Sequence, residues 1–277
     1  MMPEVEQRPI LQAFLQDPRL PRLEARMLLE HVLQKPRAWM LAHDTDPIEA
    51  WQAQQYQVLA TRRLAGEPMA YLVGHREFMG HDFAVTPDVL IPRPETELLV
   101  ETALAWLADR PEAAVLDLGT GSGVIAVSIA LGAPQAAVTA TDASAAALQV
   151  AVRNAARLGA RVDFAQGSWY EALPARARYD LIVSNPPYIA RDDQHLGRGD
   201  LRFEPRSALT DGADGLRDLA AIITGAAGRL RPGGALWLEH GWDQAAAVRQ
   251  LLAAAGFGQV SSLRDLSGIE RISGGSL

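Results

Sequence analysis

Apolar residues recur at three-to-four spacing over the first seventy or so positions, in Ile10, Leu11, Phe14 and Leu15, in Leu23, Met27, Leu28, His31 and Val32, and in Tyr56, Leu59 and Leu64. That period puts them on one face of a helix, so the segment predicts a small helical bundle. Pro18, Pro21, Pro36 and Pro47 fall between the runs, where helices start or stop. From Tyr71 to Ile91 the pattern shortens to apolar pieces with Gly74, Phe78, Gly80, Phe83 and Val85, which predicts a β-hairpin joining two domains. The prolines of Leu90-Ile91-Pro92-Arg93-Pro94-Glu95-Thr96-Glu97 then fix an extended entry to a helix beginning near Glu95.

Beyond Ala113 the periods alternate. Strand-like runs are Ala113 to Leu118, Ala137 to Thr141, Val162 to Gln166, Tyr179 to Ser184, Ala235 to Glu239, and a last pair at Gly258 to Leu263 and Ile269 to Ile272. Helical spacing fills Ser122 to Leu131, Ser144 to Leu158, Leu216 to Leu230 and Gln244 to Ala254. Such alternation implies an α/β fold, a mainly parallel sheet with helices on both faces, closed by an antiparallel edge from the last two strands. The expected organisation is a helical domain over residues 1–74, a hairpin and linker over 75–93, and an α/β domain over 94–277. Arg191 to Gly215 is long and polar for a connection, and is expected to be a mobile substrate loop.

Composition narrows the function classes. With 48% hydrophobic and 21% charged residues the chain reads as an ordinary soluble protein, and no apolar run reaches about 18 residues, so no membrane span is expected. The start, Met1 to Arg8, lacks the basic then apolar order of an export signal. Cysteine is absent, which removes disulfides and thiolate metal sites and fits a cytoplasmic protein. His31, His43, His75, His81, His195 and His240 show no metal-ligand spacing, so no metal is expected. A net charge of −7 and a pI near 5.4 match poorly with affinity for many phosphates, so nucleic acid is a disfavoured substrate.

Two motifs carry chemistry. Gly119-Thr120-Gly121-Ser122-Gly123 follows the first α/β strand and opens a helix, where a tight turn and free N–H groups can approach a small molecule. Alone it is weak, since Gly121 to Ala126 also satisfies the dinucleotide pattern G-x-G-x-x-A. Asp142 ends the second strand and could take two ribose hydroxyls; the plainer reading makes it a helix cap, for which Ser144 serves equally well. Trp169 follows the third strand and suits either an adenine ring or the core.

Asn185-Pro186-Pro187-Tyr188 ends the fourth strand. Two prolines remove two N–H donors directly after a side-chain amide, leaving an edge of acceptors suited to a planar NH2 group. The Asn185 side-chain oxygen and the Pro186 carbonyl are the acceptors, Tyr188 is expected to stack on the flat group, and no general base stands near the motif. With the glycine cradle upstream, the pair points to methyl transfer from S-adenosylmethionine to a nitrogen. Glu239-His240 near the crevice is expected to be structural, and Arg93 and Glu97 to pack the linker.

The four residues resemble the motif of adenine-N6 DNA methyltransferases. The wider sequence is more similar to the release factor glutamine N5-methyltransferase (PrmC/HemK-like) family, in Pro21 to Ala25, Gly66 to Tyr71, Glu77-Phe78, Ile91 to Glu97, Asp117 to Gly123, Ser184 to Ile189, Glu204-Pro205, Asp214 to Leu216 and Pro232 to Gly234. The resemblance implies a class I, Rossmann-like seven-stranded methyltransferase domain with a small helical N-terminal domain. It further implies that the substrate is the glutamine of the Gly-Gly-Gln motif of peptide chain release factors. Carried onto this chain, Gly119, Thr120, Gly121, Ser122, Gly123, Asp142, Trp169 and Asn185 would bind the cofactor, and Asn185, Pro186, Pro187 and Tyr188 the glutamine, with Asn185, Pro186 and Tyr188 catalytic. Some relatives carry an acid before the tryptophan, where this chain has Ser168. A monomer is expected, and adenine methylation and a non-enzymatic binding module are the alternatives.

Overall fold

The computed structural model describes residues 9–277; the Met1 to Arg8 start, read above as lacking an export signal, lies outside them. The chain separates into two compact units, one ending at Gly74 and one running from His75 to Leu277. No helix among the described residues is long and apolar enough to cross a membrane.

The first unit contains helices α1 (Leu11–Leu15), α2 (Arg22–Leu33), α3 (Arg37–Ala42), α4 (Ala50–Leu64) and α5 (Met69–Val73). Their apolar faces meet in one cluster containing Leu11, Phe14, Leu28, Leu29, Met40, Tyr56 and Leu59. Buried Tyr56 donates to Asp17 Oδ2 at 3.1 Å, and Asp17 also receives Arg19, so the Tyr56 hydroxyl inside the bundle is satisfied.

The second unit opens with a hairpin, β1 (His75–Phe78) and β2 (His81–Ala84). The change of period anticipated at Tyr71 comes later, because Tyr71 still belongs to α5 and Gly74 ends that helix in the left-handed region at φ 82°. Phe78 and Phe83 are buried in the core of the α/β unit, edge to face at 6.1 Å. A 3-10 turn at Pro94–Thr96 then leads into α6 (Glu97–Leu107).

The remaining elements alternate as β3 (Ala114–Leu118), α7 (Val124–Gly132), β4 (Ala137–Asp142), α8 (Ala145–Leu158), β5 (Asp163–Gln166), β6 (Tyr179–Ser184), α9 (Arg206–Leu209), α10 (Arg217–Ala226), β7 (Leu230–Glu239), α11 (Ala245–Ala254), β8 (Gly258–Arg264) and β9 (Glu270–Ser276). They form a seven-stranded sheet in the order β5-β4-β3-β6-β7-β9-β8, with β9 antiparallel to both its neighbours. The period of two along each strand divides the core. Val115, Leu181 and Val183 face the cluster containing Leu99, Val127 and Ile129, whereas Leu116, Leu118 and Ile182 face Leu219, Ile222, Val248 and Leu252.

The antiparallel edge appears as anticipated, but the last strand inserts between β7 and β8 instead of lying outermost. The order reverses between β3 and β6, which lie side by side, so their carboxyl ends open the crevice expected at a switch point. The Arg191 to Gly215 connection is not open coil: it holds 3-10 turns at Gln194–Gly197 and Gly199–Phe203 before α9. Buried Asp211 folds its end, accepting from the N–H groups of Ala213, Gly215 and Arg217.

Candidate active site

A cleft of about 330 Å³ lies over the carboxyl ends of β3, β4 and β6. Gly119, Thr120, Gly121 and Ser122 form one wall, with Asp142, Ser168 and Trp169 beside them; Thr96, Asn185 and Pro187 form another, with Arg93 close by.

The glycine wall is shaped by the main chain. Gly119 has φ 70°, and a Cβ there would stand 3.2 Å from Cζ3 of Trp169, so only glycine lets the turn pass under the indole. Trp169 itself has φ 45°, an uncommon conformation for a large side chain, and its carbonyl accepts from the Thr141 hydroxyl at 3.2 Å. The N–H groups of Gly119 and Thr120 both bond the Thr141 carbonyl at 2.9 Å, which ties the turn to the end of β4.

Asp142 joins this wall to the next helix. One of its oxygens accepts the Gly121 N–H at 2.9 Å and the other the Ser144 N–H at 2.8 Å, and each keeps a lone pair for a ligand hydroxyl. Burial pushes its pKa up, and these two main-chain donors oppose that shift. Of the two cap candidates the structure selects Ser144, whose hydroxyl accepts from Ala147 N at 3.1 Å and caps α8.

Two supports of this wall escaped the sequence reading. Asp117, fully buried beneath the start of α7, accepts from Thr120 Oγ1 at 2.6 Å and from Ala126 N, and burial raises its pKa to about 7. Asn154 donates to the carbonyls of Ser122 and Ala84 and accepts from Ala84 N, bracing the glycine turn against the hairpin. No motif pattern marks a lone helical asparagine; only its apolar neighbours Val150, Ala151 and Ala155, on a face that the period buries, could have singled it out.

The opposite wall begins where β6 ends. Ser184 Oγ donates to the Leu118 carbonyl at 2.6 Å, joining the ends of β3 and β6. Asn185 Nδ2 donates to Thr96 Oγ1 at 3.1 Å, while Asn185 Oδ1 is buried and has no hydrogen-bond partner. A buried acceptor without a partner is costly, so this oxygen is set for a donor from outside the chain.

The motif divides at this point. Asn185 and Pro187 line the cleft, but Pro186 is buried and Tyr188 does not line it. The Tyr188 ring packs against the core cluster of α10 and α11, and its hydroxyl donates to Glu239 Oε1 at 3.2 Å. Its carbonyl is held by Gln244 Nε2 at 3.0 Å, and the same amide bonds Gly215. A Cβ on Gly215 would fall 2.3 Å from that carbonyl oxygen, so the loop closes only over glycine.

The sequence marks Thr96 only as part of the entry segment and Glu239 only as a structural residue near the crevice; their bonds to the motif are not anticipated by it. Glu239 is 1% exposed and carries a pKa raised to about 7 by burial, against which the Thr96 and Tyr188 hydroxyls act. Its position at the end of a strand beside the motif strand was the only signal in the sequence. Adjacent His240 is structural, bonding the Gly241 carbonyl and Ser273 Oγ. Glu204 accepts the Ile91 N–H at 3.0 Å and pairs with Arg93, and Glu97 accepts from Met79 N at 2.8 Å, so Arg93 and Glu97 do fasten the entry segment. No cluster of metal ligands occurs among the described residues.

Residues 94–199 match the methyltransferase small domain family and residues 11–74 the PrmC N-terminal domain family. A release factor glutamine methyltransferase from Bordetella pertussis is 70% identical over 97% of this chain and 99% of its own length. One from Burkholderia pseudomallei is 56% identical over 87% of each chain. Among solved structures, the 16S rRNA methyltransferase of T. thermophilus, in complex with AdoMet and guanosine, shares the fold with a TM-score of 0.53 at 24% identity, over 73% of this chain and 49% of that one.

Proposed function

The chain belongs to the release factor glutamine methyltransferase family, and from that premise we propose that it methylates the side-chain amide nitrogen, N5, of the glutamine in the Gly-Gly-Gln motif of peptide chain release factors. Its cofactor is S-adenosylmethionine, which when bound supplies an electrophilic methyl group on a sulfonium. The observation that carries the reading is the buried, unpartnered Oδ1 of Asn185, a residue that lines the cleft whose other wall is the glycine turn.

The residues present fit that cofactor. Asp142 has free lone pairs for a ribose diol, the Trp169 indole offers a flat face for an adenine, and the turn is open for close main-chain approach at Gly121, whereas Gly123 packs against Ala151 and does not line the cleft. Ser168 stands exposed at the same rim as a polar neighbour for the base.

A carboxamide nitrogen is a weak nucleophile because its lone pair is delocalised into the carbonyl. Asn185 Oδ1 is the acceptor for one of its N–H bonds and helps aim the nitrogen at the methyl carbon; the main-chain carbonyl expected to take the other belongs to Pro186, which is buried and does not line the cleft. Positioning of this kind supplies about 7 to 11 kcal/mol in favourable cases. Tyr188 acts from behind the cleft wall, with its hydroxyl on Glu239, and so holds the loop in shape. The stacking role anticipated for its ring has no support in this placement.

The helical unit is the docking domain in this reading, because a glutamine on a protein loop arrives with its own domain. Trp51 and Leu41 are exposed on it at 59% and 66% and are the contacts proposed. Replacing both with alanine should lower kcat/KM on intact release factor about tenfold while leaving cofactor affinity unchanged. The protein acts as a cytoplasmic monomer on this reading, meeting its substrate where translation terminates.

Incubation with isotopically labelled S-adenosylmethionine and either unmodified release factor or DNA, followed by mass mapping, tests the assignment. Label on the Gly-Gly-Gln glutamine is expected; label on adenine alone would transfer the chain to the alternative reading.

A further inference from the structure

Gln244 stands where α11 begins, yet its side chain does nothing for that helix. Residues suited to such a place turn back to accept from the first free N–H groups, whereas Gln244 makes no such bond and reaches to other segments. Its Oε1 accepts the Gly241 N–H at 2.8 Å, in the turn after β7. Its Nε2 donates to the carbonyls of Tyr188, at 3.0 Å, and Gly215, at 3.2 Å. One main-chain N–H on one side and two carbonyls on the other leave the amide a single way to face, and both its protons are used. A Cβ on Gly241 would stand 3.0 Å from Oε1 and one on Gly215 2.8 Å from Nε2, so the carboxamide lies in a slot that glycine leaves open on both sides.

The slot matters because of what meets there. Pro186 and Pro187 have φ fixed by their rings, so the segment from Asn185 to Tyr188 is stiff and its place is set by whatever holds its ends. One end is held by Ser184 Oγ on the Leu118 carbonyl and by Asn185 Nδ2 on Thr96. At the other, the Tyr188 hydroxyl on Glu239 fixes the ring, and Gln244 on the Tyr188 carbonyl fixes the main chain. Gly215 ends the connection that leaves the motif and supplies Pro205, Ser207 and Ala208 to the cleft. The two ends of that connection run side by side, Ile189 N to the Leu209 carbonyl at 3.0 Å and Arg191 N to the Ala213 carbonyl at 2.9 Å. A single carboxamide thus pins the motif and the connection to one point.

We infer that Gln244 is a positioning residue for methyl transfer: through the Tyr188 main chain it sets where Asn185 and Pro187 stand in the cleft, and so the alignment of the nitrogen with the methyl carbon. The role rests on the reading of Asn185 as an acceptor for the substrate glutamine. Packing does not call for an amide here, since the side chain is half-buried and Glu or Met would fill the same space. The glycine turn and Asp142 are bonded without it, so cofactor affinity is not its concern.

The test is steady-state methylation of unmodified release factor by the full-length chain, beside titration with S-adenosylhomocysteine. Gln244→Glu keeps the shape and the acceptor for Gly241 but, ionised, has no donor for the two carbonyls; Gln244→Met keeps the length and has neither. Both should lower the turnover number about 10- to 100-fold, as a small misplacement of reacting groups does. KM for release factor and affinity for S-adenosylhomocysteine should stay within about threefold of the parent. Turnover within about threefold of the parent in either folded variant would overturn the inference. So would a loss of turnover matched by an equal loss of S-adenosylhomocysteine affinity, which marks a cleft that has come apart. If Gln244→Met does not fold, the nearly isosteric Gln244→Glu decides the matter. A parent chain that leaves the release factor unmethylated would sink the glutamine reading, and this role with it, before any variant is made.

Discussion

The glycine wall and the asparagine wall of the cleft are built by opposite means. The first is a main-chain construction: left-handed glycines, N–H groups on a carbonyl, and one carboxylate spanning a turn and a helix start. The bond from Gly121 to Asp142 spans 21 positions, across one strand–helix–strand unit. The second is made of side-chain bonds, Asn185 to Thr96 and Tyr188 to Glu239, between positions far apart in sequence that meet because β6 and β7 pair and the entry segment lies beside β6. A wall made of backbone suits a ligand that is always the same, whereas a wall made of side chains can be set to tell one substrate group from another.

The difference breaks most sharply at Asn185. Asn185→Ala should lower the turnover number roughly 10²- to 10³-fold, as loss of a preorganised polar contact does, with cofactor Kd nearly unchanged. Asp142→Ala should do the reverse, weakening cofactor binding about 10- to 100-fold through loss of bonds to a charged acceptor while turnover at saturation suffers less. Calorimetric titration beside steady-state kinetics separates the two; equal effects of both variants on both quantities would erase the distinction.

Two smaller effects sharpen it through stability. Gly119→Ala puts a Cβ on a residue at φ 70° and 3.2 Å from the Trp169 ring, and should cost about 1 to 2 kcal/mol, read as a lowered Tm. The pH profile concerns one buried acid behind each wall. Asp117 and Glu239 have ordinary pKa values of 3.8 and 4.5 and folded values raised to about 7, burial being the main cause in both. Between those limits the unfolded chain has released protons that the folded chain keeps, so stability falls as pH rises from about 4.5 to about 7 and then levels. Tm should drop about 2 to 4 °C for each kcal/mol lost over that interval. Asp117→Asn and Glu239→Gln should each flatten part of the slope, and a Tm that climbed through this window in the parent chain would contradict the burial account.

Much of this is legible in the amino-acid sequence. The alternating periods beyond Ala113 gave seven strands in their places, because strands buried on both faces and amphipathic helices leave unlike patterns. The glycine turn, Asp142 and Asn185 could be named because each sits at a strand end, where the fold opens its crevice. Other features could not be read. Tyr188 looked like a stacking ring, but its direction depends on Glu239, Gln244 and Gly215, which pairing periods do not reveal. Thr96 sits in a proline-rich entry segment whose register against β6 is a tertiary fact, and Asn154 is hidden in an ordinary helical pattern. The strand exchange that puts β9 inside β8 likewise leaves no trace in alternation alone.

The most direct measurement is a crystal structure of the protein with S-adenosylhomocysteine and a release factor, or its Gly-Gly-Gln domain. The account predicts the glutamine amide nitrogen about 2.9 Å from Asn185 Oδ1, with Asn185 Nδ2 still on Thr96. A glutamine nitrogen held by other groups, or an Asn185 turned with its NH2 toward the substrate, would contradict it.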